Sequence, residues 1–342
     1  MKFLLVTDAW RPQVNGVVRT WESVTGEMRS RGIDVEVIHP GLFRAISAPK
    51  YPEIKLAILP GSKVRRLIRD SGFDAIHIAT EGPLGMAAVR HCRRQGIPYT
   101  TSYHTRFPEY MKRYFGLPVG ITDRFLRWFH GPARATLVPT RSMRAELAAR
   151  RFDDDKLVTW CRGVDTATFK PEPKVELALP RPIFTYAGRI AVEKNLEAFL
   201  SLDLPGSKML IGDGPARPAL AKKYPDVHFA GYRFGEELAA TYAAADVFVF
   251  PSLTDTFGVV MLEANACGLP VAAFPVTGPV DVVIEGRTGA LDDDLRAAAL
   301  RALDVDRQAC VDYARSMTWA RCADVVLENL ACDVPVPAAL AS

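Results

Sequence analysis

The strongest constraint on the fold is a repeated alternation, in which short apolar runs are separated by segments long enough to form a helix. The runs are β-branched or aromatic, show no strict alternation and are bounded by Gly, Pro or Asp, which is typical of parallel strands covered on both faces. In chain order they are KFLLVTD (2–8), DVEVIHP (34–40), IKLAIL (54–59), DAIHIAT (74–80), IPYTTSYHT (97–105), ATLVPT (135–140), IFTYAG (183–188), KMLIGDG (208–214), DVHFAGY (226–232), DVFVFPS (246–252) and PVAAFPV (270–276). The pattern predicts an α/β fold with two doubly wound parallel sheets.

The chain divides at a proline-rich stretch. Four prolines interrupt residues 163–182, and the next predicted strand begins directly after them. A chain of 342 residues is also long for a single core. We therefore predict one domain over residues 1–165 and a second over 166–317. The segment TWARCADVVLENL (318–330) is predicted to form a closing amphipathic helix.

Composition narrows the class of protein. Hydrophobic residues make up 49% and the formal net charge is +4, so a globular fold is expected and a nucleic-acid partner is not. The first apolar run ends after a few residues at Asp8 without a small-residue cleavage site, which does not fit a signal peptide. The six cysteines are scattered without a CxxC pair, which favours a reduced, cytoplasmic compartment and argues against zinc.

The stretch TDTFGVVMLEANACGLPV (254–271) contains the most informative pair of residues. Glu263 lies in an otherwise apolar run, where a carboxylate needs a partner, and Asp255 precedes it on the loop. A helix is expected to begin near Phe257 or Gly258, so its free N–H groups would lie between the two acids and attract an anion. This order matches the sugar hydroxyls, diphosphate and ribose of a nucleotide sugar. In the alternative, Asp255 only caps the helix and Glu263 pairs with a Lys or Arg.

Two further loops follow predicted strands. GRIAVEK supplies Arg189 and Lys194, two cations suited to a diphosphate, although a solvated charged loop is the alternative. GDGP (212–215) is either part of the same site or an ordinary strand-to-helix turn. His104, in TSYHTRF, stands at the end of a strand and is predicted to belong to a site, while the other five histidines are interpreted as structural.

The motifs D-x7-E, GR-x4-K and GDGP, in this order, resemble those of glycosyltransferase family 4 over essentially the whole chain. The resemblance implies a GT-B architecture, two Rossmann-like domains facing across a cleft, and a helix at about 318–342 that packs back on the first domain. It also implies a retaining reaction. The family's usual first acid is Glu, and Asp255 is one methylene shorter. TDTFG followed by FPVTGP (274–279) is most similar to relatives that glycosylate lipids from GDP-mannose or UDP-hexoses.

The resemblance also implies roles for individual residues. Those nearest the reacting sugar and leaving group are His104, Asp255, Arg189 and Lys194. His104 and Asp255 would contact the sugar, and the two cations would neutralise the departing diphosphate. The residues implied in binding the rest of the donor are Asn15, Gly16, Tyr232, Arg233, Phe257, Gly258, Val259 and Glu263. In that set Glu263 would hold the ribose, and Tyr232 and Arg233 would border the base.

No cofactor and no metal requirement are predicted. The acid-rich runs at 153–155, 292–294 and 304–306 do not follow apolar strands and are interpreted as turns or helix caps. Arg189, Lys194 and the helix dipole would then balance the leaving-group charge, and the acceptor would attack from the front face. Glu81 either lines the acceptor side or caps the helix that follows it.

Basic and large apolar residues are interleaved in SKVRRLIR (62–69), YMKRYFG (110–116) and TDRFLRWFHG (122–131). This pattern suits an anionic membrane surface, with a solvated helix face as the alternative. The sequence thus predicts a hexosyltransferase that carries sugar from a nucleoside diphosphate to a membrane lipid, peripheral on the inner face of the plasma membrane. A soluble or polysaccharide acceptor, a sugar-nucleotide 2-epimerase and a non-catalytic nucleotide-sugar-binding subunit remain as alternatives.

Overall fold

The structure is a computed structural model that describes residues 1–13, 15–48, 51–106, 108–109, 111–112, 116–173 and 176–332, with backbone only for 51–53. The chain forms two compact units. The first comprises Met1–Cys161 and the chain from Trp319 onward, and the second comprises Arg162–Thr318. The sequence predicted boundaries at residues 165 and 317.

The first unit is built on a six-stranded parallel sheet. Its strands are β1 (Lys2–Val6), β2 (Asp34–Ile38), β5 (Ala75–Ile78), β6 (Thr100–Ser102), β7 (Thr136–Val138) and β8 (Leu157–Thr159), in the spatial order β2-β1-β5-β6-β7-β8. The connecting helices are α1 (Gly16–Ser30), α2 (Gly61–Ser71), α3 (Pro83–Gln95), α4 (Val119–His130) and α5 (Arg141–Ala149). Each sheet face is covered by a separate apolar cluster, so the strands are buried on both sides as predicted.

The prediction for residues 54–59 is wrong in one respect. These residues fall partly in β4 (Tyr51–Ala57), which pairs antiparallel with β3 (Ala45–Ala48) and is not a strand of the parallel sheet. Most of β3 is exposed, so this pair is not covered on both faces. A short apolar run carries no signal for the direction in which it pairs.

The second unit repeats the architecture. Its strands are β9 (Ile183–Ala187), β10 (Ser207–Ile211), β11 (His228–Gly231), β12 (Val247–Phe250), β13 (Val271–Ala273) and β14 (Gly289–Leu291), in the order β11-β10-β9-β12-β13-β14 and all parallel. Its helices are α6 (Leu196–Leu200), α7 (Arg217–Lys223), α8 (Gly235–Ala244), α9 (Val259–Ala266), α10 (Pro279–Val282), α11 (Leu295–Ala302) and α12 (Arg307–Arg315). The predicted α/β class with two parallel sheets is confirmed.

The closing helix α13 (Trp319–Glu328) packs on α1 in the first unit. Its buried face carries Cys322 and Val326, and the indole N–H of Trp160 donates to the carbonyl of Cys322 at 2.9 Å. Arg31, at the end of α1, forms an ion pair with Asp324 of the helix. Across the described part of the chain, no helix combines the length and apolar character needed to cross a membrane.

Candidate active site

Strand β12 leads into a short loop and then into α9, which begins at Val259, one or two residues after the start predicted near Phe257 or Gly258. Gly258 precedes the helix with φ +82°, a left-handed conformation that favours glycine. A Cβ at this position would lie 2.8 Å from Met261 Cε and 2.9 Å from Phe250 Cζ. The glycine therefore lets the backbone turn tightly and leaves the first N–H groups of α9 without a capping side chain.

Asp255 lies in this loop and forms an ion pair with Lys194. The ammonium Nζ is 2.6 Å from Oδ1 and 2.9 Å from Oδ2, and the two side chains are 22% and 20% exposed. Burial alone would raise the pKa of Asp255. The charge of Lys194 and the hydrogen bond from its ammonium together outweigh burial, so the pKa lies below its ordinary value. The interpretation of Asp255 as a simple cap of α9 is wrong, because Gly258 occupies that position.

Glu263 lies in the middle of α9 and is 1% exposed. Its neighbours Met261, Leu262 and Ala264 are fully buried. Burial, with the charge of Glu263 as the second cause, raises the pKa of the Cys267 thiol to about 12. The structure therefore holds an acidic side chain deep in an apolar helix, one helical turn from the helix start.

The loop that carries Arg189 is fixed by the GDGP loop. Ile190 N–H donates to the carbonyl of Asp213 at 2.9 Å, and Ala216 N–H donates to the carbonyl of Ile190 at 3.0 Å. A Cβ on Gly212 would lie 2.1 Å from the oxygen of Gly188, so the two backbones touch directly. GDGP thus braces the loop of Arg189, a role that the sequence motif alone did not assign.

After β11 the chain presents two aromatic rings. Tyr232 is 55% exposed and Phe234 is 58% exposed, and their rings stack with centroids 5.7 Å apart at 14°. Arg233 pairs with Glu237 at 2.9 Å, on the first turn of α8. Phe234 was not among the predicted site residues, since its exposure is visible only in the folded chain.

In the first unit, Asn15 caps α1. Its Oδ1 accepts hydrogen bonds from the N–H groups of Val17 and Val18, both at 3.0 Å. Gly16 is the first helical residue, and a Cβ there would meet nothing within 4 Å. The backbone at this helix start therefore remains open to close approach.

His104 follows β6 and is buried. Its Nε2 lies 2.8 Å from the indole nitrogen of Trp21 and 2.9 Å from Ser102 Oγ. Ser102 Oγ also lies 3.1 Å from Nε2 of His77, whose pKa burial lowers to about 3. Trp21 on α1 is a polar partner of His104 that sequence reasoning missed, because 83 residues separate them.

Glu81 does not cap α3, which corrects one interpretation of that residue. It lies 3.3 Å from Nε2 of His130. The first N–H groups of α3 instead donate to Asp8 of the β1 loop, from Leu84 at 2.9 Å and from Gly85 at 3.2 Å. Burial raises the pKa of Asp8 to about 6, although these hydrogen bonds oppose the shift.

Stability should therefore depend on the ionisation of Asp8. Its folded pKa of about 6 exceeds the ordinary value of 3.8, so the folded protein binds this proton more tightly, and stability rises as pH falls through 6. Relative to Asp8→Asn, the free energy of unfolding of the natural protein should increase by about 1.4 kcal/mol between pH 7.5 and pH 5. Urea unfolding of both proteins at the two pH values measures this difference. Free energies of unfolding that change with pH in parallel in the two proteins would contradict the prediction.

The acid-rich runs are turns and caps, as predicted. Asp294 caps α11 by accepting from Arg296 N–H at 2.9 Å, and Asp306 caps α12 by accepting from Gln308 N–H at 2.9 Å. Asp154 pairs with Arg144 at 2.7 Å. Across the described ranges, no group of three or more His, Cys, Asp or Glu side chains is arranged to hold a metal ion.

Comparison with known proteins identifies the class and the family. Residues 14–168 match the model of Glycosyltransferase Family 4, and residues 181–304 match Glycosyl transferases group 1. The fold is similar to that of sucrose-phosphate synthase from Thermosynechococcus elongatus (TM-score 0.75, 20% identity, 94% and 96% of the two chains). It is also similar to Anabaena HepE in complex with UDP (TM-score 0.71, 14% identity, 96% and 99%). The two parallel-sheet units of this chain match the GT-B fold of these structural neighbours.

Curated relatives agree with that class. A GDP-mannose-dependent alpha-mannosyltransferase of Mycobacterium tuberculosis is 32% identical over 319 residues, covering 85% of this chain and 83% of the relative. Sulfoquinovosyl transferase SQD2 of Arabidopsis thaliana is 32% identical over 330 residues, covering 86% and 65%. The chain belongs to glycosyltransferase family 4, and it is an enzyme of that class.

Proposed function

We propose that the protein transfers a hexose from a nucleoside-diphosphate sugar, with GDP-mannose as the first donor to test and UDP-hexoses as the second, to a hydroxyl of a membrane lipid. The observation that carries the donor site is the start of α9, where a glycine turn leaves N–H groups available between Asp255 and the buried Glu263. The mannosyl and diacylglycerol-type names among the relatives support the choice of sugar and acceptor.

Each end of the donor has a partner in the second unit under this proposal. The sugar lies against Asp255, the diphosphate on the N–H groups of Phe257, Gly258 and Val259, and the ribose diol at Glu263. The stacked rings of Tyr232 and Phe234 offer a flat apolar surface to the base, since large exposed aromatic side chains tend to mark contact surfaces.

The proposed reaction retains the anomeric configuration. Lys194 and Arg189 face the leaving diphosphate as fixed positive charges, where preorganised electrostatics lowers the barrier most. Because these cations and the helix start would balance the leaving-group charge, the reaction would need no divalent metal. The acceptor hydroxyl attacks from the face that the diphosphate leaves, and the departing phosphate oxygen takes its proton.

A donor screen followed by product analysis tests the proposal. Thermal shifts with UDP-, GDP- and ADP-sugars identify the donor. Mass spectrometry of membrane-lipid extracts incubated with the protein and this donor, with and without EDTA, identifies the product, and proton NMR of the product gives its anomeric configuration. We expect a glycolipid of retained configuration whose yield EDTA does not change. An inverted product would exclude front-face attack. Conversion of the donor without acceptor would indicate an epimerase, and binding without turnover would indicate a non-catalytic subunit.

The first unit carries the surface that we assign to the bilayer. On α2, Val64 and Ile68 are buried while Arg65, Arg66 and Arg69 are exposed, so the cations lie on one outer face. Helix α2 packs against α3. The pKa of His91 on α3 is lowered, first by burial and then by the charges of Arg65 and Arg69 on α2.

This basic surface continues onto α4. The guanidinium groups of Arg90 and Arg93 lie 5.7 Å and 5.6 Å from the ring centroid of Trp128. Leu59, just before α2, is 90% exposed. Tyr110 and residues 113–115 of the second basic segment lie outside the described residues. Cations interleaved with aromatic and aliphatic side chains suit an anionic lipid surface, and we propose peripheral attachment at the inner face of the plasma membrane.

Reversing the charges of Arg65, Arg66 and Arg69 to Glu should weaken binding to vesicles of phosphatidylglycerol and phosphatidylcholine by at least about 100-fold. Each cation near an anionic surface contributes about 1 kcal/mol. Co-sedimentation at 0.1 M salt measures the loss. The matched control Lys222→Glu, Lys223→Glu and Arg315→Glu makes the same charge change in the second unit and should bind normally. Equal losses in both triple variants would contradict a specific surface.

A further inference from the structure

Two cysteines meet where the closing helix packs on the first unit. Cys161 follows strand β8, and Cys322 lies in the first half of α13. Their Sγ atoms are 4.0 Å apart, although 161 residues separate them along the chain. A disulfide holds its two sulfurs about 2.0 Å apart, so a combined side-chain shift of about 2 Å brings this pair to bonding distance.

Hydrogen bonds on both sides of the sulfurs hold the pair in place. The indole N–H of Trp160 donates to the carbonyl of Cys322 at 2.9 Å, and the thiol of Cys322 donates to the carbonyl of Cys161 at 3.3 Å. Trp160 and Cys322 are buried in one apolar cluster of the first unit, and Cys161 packs against that cluster. The contact between the sulfurs is therefore part of the packed core and does not depend on an exposed loop.

The two thiols differ in access to solvent. Cys322 is fully buried, whereas Cys161 is partly exposed, so a small oxidant reaches Cys161 first and Cys322 lies behind it. Three other cysteines, Cys92, Cys267 and Cys310, are buried, and burial raises the pKa of each thiol to about 12. Those three stay protonated and unreactive at physiological pH, because the thiolate is the reactive form.

We propose that Cys161 and Cys322 form a reversible disulfide by exchange with a small-molecule disulfide. The thiolate of Cys161 attacks one sulfur of the oxidant, a mixed disulfide forms, and a small thiolate leaves and takes the proton of the Cys322 thiol. The Cys322 sulfur then attacks Sγ of Cys161, and the bond from Cys161 to the small molecule breaks. The two cysteines lose two electrons and two protons, and the oxidant is reduced to two thiols.

The bond ties the closing helix to the end of β8. It also links the two places where the chain passes between the units, because Arg162–Thr318 form the second unit and lie between the two cysteines in sequence. Helix α13 then cannot leave the first unit without breaking a covalent bond. In a reduced compartment the pair remains as two thiols, and the disulfide is a response to oxidation. This inference goes beyond the proposed function and does not depend on it.

Oxidation of the natural full-length protein with oxidised glutathione at about pH 8, where thiolates form, tests the proposal. Remaining thiols are blocked with N-ethylmaleimide, and peptide mass spectrometry locates the bond. We expect a linked pair of peptides carrying Cys161 and Cys322, which dithiothreitol separates. A persistent glutathione adduct on Cys161, a bond from Cys161 to another cysteine, or two blocked thiols would each overturn the proposal, and none of these outcomes requires a variant to fold.

Cys332→Ser is the matched control, because Cys332 is also partly exposed and packs against the same apolar cluster. It should form the bond as the natural protein does, and loss of the bond in this variant would contradict the pairing. Cys161→Ser should abolish it. Amide hydrogen exchange over Trp319–Glu328 should slow at least about tenfold on oxidation of the natural protein and should not change in Cys161→Ser. Equal exchange before and after oxidation would contradict the hold on the helix.

Discussion

Replacing Lys194 with alanine is expected to lower kcat/KM for glycosyl transfer by about 100- to 1,000-fold. Removing one preorganised group that faces developing charge has an effect of this size in other enzymes. The change also leaves the carboxylate of Asp255 without the ammonium that lies 2.6 Å away. The variant should remain folded, because the lysine side chain is 20% exposed and belongs to no apolar cluster. Steady-state kinetics and a thermal melt measure both expectations.

Lys222→Ala is the control for this variant, since Lys222 is exposed on α7 in the same unit and should tolerate the change. A double-mutant cycle with Asp255→Ala then separates two roles. If Lys194 and Asp255 act as one unit, the double variant should be no slower than the slower single variant. A loss below about threefold in Lys194→Ala would contradict a catalytic role for the lysine.

Replacing Glu263 with alanine is expected to weaken binding of the nucleoside diphosphate by about 10- to 100-fold. A carboxylate that accepts from a hydroxyl pair makes charge-assisted hydrogen bonds worth about 1.5–3 kcal/mol. Titration calorimetry with GDP and UDP measures the change. Glu236→Ala, on the exposed first turn of α8, is the control and should bind as the natural protein does.

The ribose contact has its own signature. If Glu263 holds the diol, the natural protein should discriminate against 2′-deoxy nucleotides, and the alanine variant should bind both forms equally. A variant that weakens binding but keeps the discrimination would place the ribose elsewhere. The calorimetric difference between the two nucleotides is measured within each protein, so a general loss of stability does not imitate the result.

Much of the candidate site followed from local sequence. Strand β12, the glycine turn and α9 are contiguous in the chain, so an apolar run, a glycine and an isolated acid marked them together. The caps formed by Asp294 and Asp306 were also predictable, because a cap bonds to N–H groups two residues ahead. The assignment of substrate roles to these residues stays a prediction.

Other features depended on residues that meet only in the folded chain. Lys194 and Asp255 lie 61 residues apart, and each had been assigned to a different part of the donor. Asp8, not Glu81, supports the start of α3, although Glu81 is closer in sequence. The β3–β4 pair is antiparallel, and the composition of its two strands does not encode that direction.

The sequence by itself determined the α/β class, the two parallel sheets and the glycine turn before α9. These properties arise from short-range patterns in the sequence. Apolar runs form buried strands, a glycine permits a tight turn, and polar groups a few residues apart bond to each other. Only the tertiary structure decided the partners of the charged and polar side chains, including Asp255 with Lys194 and His104 with Trp21. Such partners are selected by packing across different elements, where the distance between two atoms is unrelated to their separation along the chain.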